Sequence, residues 1–127
     1  MFSHMAVGSN DTERSKRFYD ALFAAMGAAP GRQDPKGRVA YAHDGCAFIV
    51  GPPLDGELAT RGNGSTIGFK LASPQAVDAW HAAGVAAGGT SIEDPPGPRS
   101  MAFGNLYLAY LRDPDGNKLC AVHRMDG

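Results

Sequence analysis

NLYLAYLRDPDGNKLCAV, residues 105–122, is the stretch whose reading decides the fold. Two runs rich in aromatic and aliphatic residues flank Asp113-Pro114-Asp115-Gly116. Tyr107, Leu108, Tyr110 and Leu111 mark the first run as a strand, and Leu119, Cys120, Ala121 and Val122 mark the second. Pro114 fixes one turn dihedral, Gly116 accepts a positive φ, and the two aspartates can bond nearby backbone amides. The stretch therefore predicts a β-hairpin. A hairpin alone is marginal in water, so this one must belong to a larger sheet. Strand alternation puts Cys120 on one face with Lys118 and Val122, opposite Leu119 and Ala121, and sends Tyr107 and Tyr110 to opposite faces.

The chain has 127 residues, room for one ordinary domain. Its 12 Lys+Arg nearly cancel its 13 Asp+Glu, and no basic run is present, so nucleic acid is not an expected partner. No segment approaches the roughly 20 apolar residues of a membrane helix, so a membrane is not expected either. The start, MFSHMAVGSND, lacks the charged and apolar regions of an export signal. The cysteines Cys46 and Cys120 do not form a disulfide framework, and the expectation is two reduced thiols in a cytoplasmic protein.

Outward from the hairpin the same pattern occurs twice. Residues 2–7 form a short apolar run. Asn10, with Glu13 three residues on, reads as a helix cap. Phe18, Tyr19, Leu22, Phe23 and Met26 then recur at helical spacing, and Gly27 can end that helix. Strand candidates follow around 28–32, 38–42 and 46–51, and Cys46 reads as core. Residues 52–64 lack apolar periodicity and read as a linker or a loop over a pocket. The pattern restarts with a strand over 65–71 and a helix capped by Ser73 with Pro74 at its first position. Val77, Trp80, Ala83, Gly84 and Ala87 give that helix its apolar side. Residues 90–93 are a strand candidate, 94–104 a Pro/Gly-rich loop, and the hairpin completes the half.

The predicted class is α+β, with two βαβββ modules in one domain over 1–127. The first half is 1–51, the linker 52–63 and the second half 64–124. Each module is a curved mixed sheet with a helix on its outer face, and the two form a shared cleft. Asp44-Gly45 before CAFIV in the first half corresponds to Asp115-Gly116 before NKLCAV in the second. Neither half would bury enough surface alone, so the two should pack together. A cleft between modules is a preferred binding place.

In this order the chain resembles the vicinal oxygen chelate superfamily, which includes glyoxalase I, extradiol dioxygenases, fosfomycin-resistance enzymes and bleomycin-resistance proteins. The residues carrying the resemblance are His4, Phe18-Tyr19, Ile67-Gly68-Phe69, Pro96-Gly97-Pro98-Arg99 and Asp113-Pro114-Asp115-Gly116-Asn117. The resemblance implies paired βαβββ modules, a homodimer and, in enzymatic members, a divalent metal such as Zn, Ni, Mn or Fe. The ligand positions it implies fall at His4, Ile49, Thr66 and Cys120. Of these, His4 is a ligand of the usual type, and Cys120 could bind zinc as a thiolate. Ile49 has no donor, and Thr66 is a weak neutral one. His43 and Glu57 could join only by swinging in, and their spacing gives no support for that.

The isomerase, epoxide-opening and ring-cleaving chemistries of the superfamily all use a carboxylate where this chain has Cys120, which argues against each as the native activity. Whether the chain is an enzyme stays open on these residues. The leading reading is a protein that binds a small organic molecule in the cleft with an incomplete metal-ligand set and no predicted cofactor. The candidate binding residues are His4, Thr66, Arg99, Tyr110 and Cys120. The alternative is a metal-dependent lyase or isomerase, or a dioxygenase-like enzyme, with a degenerate site built on His4 and Cys120.

Overall fold

The computed structural model describes residues 1–125. Strand β1 (His4–Gly8) leads into helix α1 (Thr12–Ala24), followed by β2 (Arg32–Gln33), β3 (Val39–His43) and β4 (Cys46–Gly51). The second half repeats this as β5 (Ile67–Lys70), α2 (Pro74–Ala86), β6 (Thr90–Ser91), β7 (Gly97–Met101), β8 (Gly104–Arg112) and β9 (Lys118–Arg124). The first sheet runs β1-β4-β3-β2 and the second β5-β9-β8-β6, with β7 also paired to β8. In each sheet the opening strand is parallel to the closing one and the other pairs are antiparallel. This is the α+β arrangement of two modules predicted from the sequence.

Several local expectations are corrected. Asp11, not Asn10, caps α1; its carboxylate accepts from the Arg14 amide at 3.1 Å. A carboxylate there also faces the positive end of the helix dipole. Asn10 instead clamps the linker, donating to the Ala59 carbonyl at 3.1 Å and accepting from its amide at 2.7 Å. The strands expected around 28–32 and 90–93 shrink to two residues each. The supposed loop 94–104 contains β7, so the second sheet has five strands. Pro98 lacks an amide donor but is tolerated there because β7 is an edge strand. Ser73 caps α2 as predicted, accepting from the Ala76 amide at 3.0 Å.

Both helices contribute to one core. Phe18, Tyr19, Leu22 and Phe23 of α1 meet Val77 and Trp80 of α2, and both sheets close on them through Val39, Phe48, Val50, Leu111, Leu119 and Ala121. Helix α2 packs tightly at Gly84, where an added Cβ would lie 2.3 Å from Leu111 Cδ1 and 3.0 Å from Leu22 Cδ1. Cys46 does not fill this core; it is exposed. Its strand parity with Phe48 is the core-facing one, but at the turn end of the β3–β4 hairpin that face opens onto a cavity.

The turn that identified the hairpin also joins the halves. Asp113 is buried, and one of its carboxylate oxygens accepts from the Asp115 and Asn117 amides at 3.0 and 2.9 Å. The other accepts from the Tyr19 hydroxyl of α1 at 2.5 Å and from the Asn117 side chain at 2.8 Å. Asp115 reaches the start of α1, accepting from the Asn10 amide at 3.0 Å, Arg14 Nη2 at 3.0 Å and Ser15 Oγ at 3.2 Å. Asn117 also donates to the Gly8 carbonyl at 3.2 Å. Among the described residues no helix is long and apolar enough to cross a membrane.

Candidate functional site

Strand alternation gives each sheet a face turned away from the helices. In the first half it carries His4, Ala6 and Ile49, and in the second Leu106, Leu108, Tyr110, Cys120 and Val122. The second set forms its own apolar cluster, with Leu106, Leu108 and Cys120 buried and Tyr110 and Val122 packed against them. Tyr110 and Cys120 are direct cross-strand partners.

Burial raises the Tyr110 phenol above its ordinary range, and the Cys120 thiol beside it and the Glu93 carboxylate add to the rise. Burial likewise raises the Cys120 thiol; the hydrogen bond with Tyr110 opposes this, as do the charges of Lys118 and Arg99. Both groups are therefore neutral at pH 7. Lys118 Nζ lies 5.0 Å from the centre of the Tyr110 ring and 2.5 Å from Glu93. A cation over an aromatic face holds the ring in place. The Arg99 guanidinium is turned onto its own loop, donating to the carbonyls of Gly97 at 3.0 Å, Asp94 at 3.2 Å and Pro95 at 3.0 Å. It anchors the approach to β7 and lends positive charge to the Tyr110–Cys120 pair.

The other two candidates lie elsewhere. His4 is exposed, with Nδ1 2.8 Å from Ser3 Oγ. It lines a cavity of about 540 Å³ with Ile49, Pro53, Leu54, Asp55 and Leu58. The linker that Asn10 clamps thus forms one wall over the open face of the first sheet. Thr66 lines a different cavity, of about 770 Å³, with Met5, Phe23, Met26, Phe48 and Phe69. The structure thus brings Arg99, Tyr110 and Cys120 to one sheet and sets His4 and Thr66 apart from them.

The four positions at which the superfamily resemblance puts metal ligands do not fit a metal as they stand. Ile49 is an alkyl group with no donor, and Thr66, a weak neutral donor, lines another cavity. His43 pairs with Asp44 at 3.5 Å on the cavity shared with Thr66, and Glu57 is exposed on the linker. Among the described residues no three His, Cys, Asp or Glu side chains gather as a metal site.

Sequence reasoning placed Lys118 on the Cys120 face but missed Leu106, Leu108 and Glu93 as parts of this surface. The first two were within reach. Counting outward from a five-residue connection at 113–117 pairs Tyr110 with Cys120 and aligns Leu108 with Val122. Glu93 was not, because its approach to Lys118 depends on the path of a loop.

A glyoxalase-like domain family matches residues 4–122. The crystal structure of a glyoxalase/bleomycin resistance protein from Albidiferax ferrireducens is 56% identical, covers 98% of this chain and 99% of that one, and superposes with a TM-score of 0.95. More distant likenesses carry the fold alone. A glyoxalase/bleomycin resistance protein/dioxygenase family enzyme from Burkholderia phytofirmans is 18% identical, covering 97% of this chain and 98% of that one with a TM-score of 0.73. A glyoxalase-related enzyme from Fulvimarina pelagi is 22% identical, covering 98% and 88% with a TM-score of 0.72. A search of curated proteins finds no match.

Proposed function

The chain belongs to the glyoxalase-like domain family, and from that premise we propose that it is a cytoplasmic homodimer binding a small organic molecule on the helix-free face of its second sheet, without a resident metal. The observation that carries this reading is the Tyr110–Cys120 pair, two neutral hydrogen-bonding groups set among Leu106, Leu108 and Val122. An apolar surface with a few converging polar groups suits an aromatic or aliphatic ligand bearing an acceptor oxygen. The His4-bearing and Cys120-bearing faces lie in different sheets of one chain. A second copy can set the first face of one chain against the second face of the other, closing the site and bringing His4 to it. Isomerisation or ring cleavage supported by a metal would need the carboxylate that Cys120 replaces.

Three measurements test this reading. Elemental analysis of tag-free protein, wild type and His4→Ala, should find no stoichiometric metal, even after incubation with Zn, Ni, Mn or Fe. About one metal per chain that disappears in His4→Ala would overturn the metal-free reading in favour of a metal-dependent lyase, isomerase or dioxygenase-like enzyme. A thermal-shift screen of small aromatic carbonyl compounds should find ligands that stabilise the wild type and not Tyr110→Ala. At about 100 times Kd such a ligand adds roughly 2.7 kcal/mol. Sedimentation equilibrium should give a dimer; a monomer at micromolar concentration would remove the shared-site part of the proposal.

A further inference from the structure

The cavity of about 770 Å³ between β1 and β5 has no part in the site proposed above. Its walls are apolar, with Met5, Phe23, Met26, Phe48 and Phe69 exposed to it, and its volume is within the range of small-molecule sites. The turn end of the β3–β4 hairpin stands at its mouth. Asp44 and Gly45 both take positive φ, 50° and 78°, as a tight two-residue turn requires. That turn sets His43 and Cys46 directly opposite one another in register. Both line the cavity. Directly opposed side chains start from Cβ atoms about 4.5–5.5 Å apart, so the imidazole and the thiol are neighbours. The Asp44 carboxylate lies 3.5 Å from His43 Nε2. The thiol is exposed and donates to the Ala47 carbonyl at 3.7 Å.

We propose that this cavity is a second site, which binds apolar α,β-unsaturated carbonyl compounds and captures them covalently on Cys46 with the help of His43. His43 takes the thiol proton. The Cys46 sulfur forms a bond to the β-carbon, and the C=C π pair shifts to give an enolate. The proton then passes from His43 to the α-carbon, leaving a saturated thioether. No electrons are gained or lost overall, and no further reactant enters. The apolar walls hold the electrophile against the thiol, which raises the rate through proximity.

The test compares N-phenylmaleimide with N-methylmaleimide on the tag-free full chain. Intact mass and peptide mapping give the site, and each rate is divided by that of the same reagent with free cysteine. One adduct per chain at Cys46 is expected, with the normalised phenyl rate about tenfold or more above the methyl rate, as burial of a phenyl ring allows. The phenyl rate should also saturate with reagent concentration. Cys46→Ser should abolish labelling, and His43→Asn should slow both reagents several-fold. Ala28→Trp should fill the cavity, remove the phenyl preference and leave the methyl rate unchanged; Met26→Trp serves if that variant does not fold. Equal normalised rates that rise linearly with concentration, labelling mainly at Cys120, or an inert Cys46 would each overturn the proposal. The outcome is separable from the ligand screen above, which reads the Tyr110–Cys120 face.

Discussion

Removing the hydrogen bond between Tyr19 and Asp113 should uncouple the two halves of the molecule. The hydroxyl of Tyr19 lies 2.5 Å from the Asp113 carboxylate, and both residues are nearly inaccessible, at 0% and 3%. Tyr19→Phe removes one charge-assisted hydrogen bond but leaves Asp113 three other donors, the Asp115 amide and the amide and side chain of Asn117. The expected cost is about 1.5–3 kcal/mol. Asp113→Ala removes the shared acceptor and strands the buried phenol, which by itself should cost about 1–3 kcal/mol. At about 2.1 cal/mol/K of unfolding entropy per residue, each kcal/mol lowers Tm by roughly 4 °C in a chain of this length. Tyr19→Phe should therefore melt about 6–12 °C below the wild type. Urea unfolding followed by the fluorescence of Trp80, which is fully buried, gives the free energies directly. The double variant should be less destabilised than the two single changes added together, by about 0.5–3 kcal/mol. A coupling near zero, or a Tyr19→Phe variant as stable as the wild type, would mean that the turn is a local feature and not the joint between modules.

Three other outcomes follow from the same geometry. The Tyr19 phenol is raised by burial and then by Asp113, and that of Tyr41 by burial and then by Asp20, so both are ionised less readily in the folded state than in the unfolded one. Their contribution is complete below about pH 10 and is lost as pH rises further, so alkaline unfolding should begin there and flatten in Tyr41→Phe; a wild-type curve that stays level above pH 10 would contradict this. Asp20 is partly desolvated, but hydrogen bonds from the Gly31 amide, Lys16 and Tyr41 lower it overall. Its contribution is therefore present above about pH 4 and is lost as pH falls, and Asp20→Asn should shrink the acid limb of the stability–pH profile. Gly84→Ala should destabilise the protein by about 1–3 kcal/mol in chemical denaturation despite alanine's better helix propensity, because the new methyl meets Leu111 and Leu22; a neutral or stabilised variant would show that the core yields there at no cost.

Much of the fold was legible in the chain because local chemistry and periodicity agreed. The DPDGN turn, the helical spacing of Phe18, Tyr19, Leu22 and Phe23, and the Ser73-Pro74 start of α2 each have a short-range physical cause. The misreadings have causes of a different kind. Strand β7 is rich in Gly and Pro and has no apolar alternation, so only its pairing with β8 makes it a strand. Asn10 and Asp11 are both capping residue types, and a tertiary contact with Ala59 decided between them. Cys46 has the parity of a core residue, but parity does not tell where that face opens onto a cavity.

The sequence by itself determined the two-module architecture, the strand faces on which His4, Tyr110 and Cys120 lie, and the lack of a carboxylate at position 120. Those properties depend on residue type and on a period of two, and both are present in the linear chain. Only the tertiary structure decided that Tyr110 and Cys120 share an apolar surface apart from His4, that Arg99 is spent on its own loop, and that Cys46 and His43 stand at the mouth of an apolar cavity. It also turned Asp113 and Asp115 from turn residues into the joint with α1. Each of these outcomes is set by what lies across space from a side chain, and burial, pKa and hydrogen-bond partners follow from that neighbour and not from the residue alone.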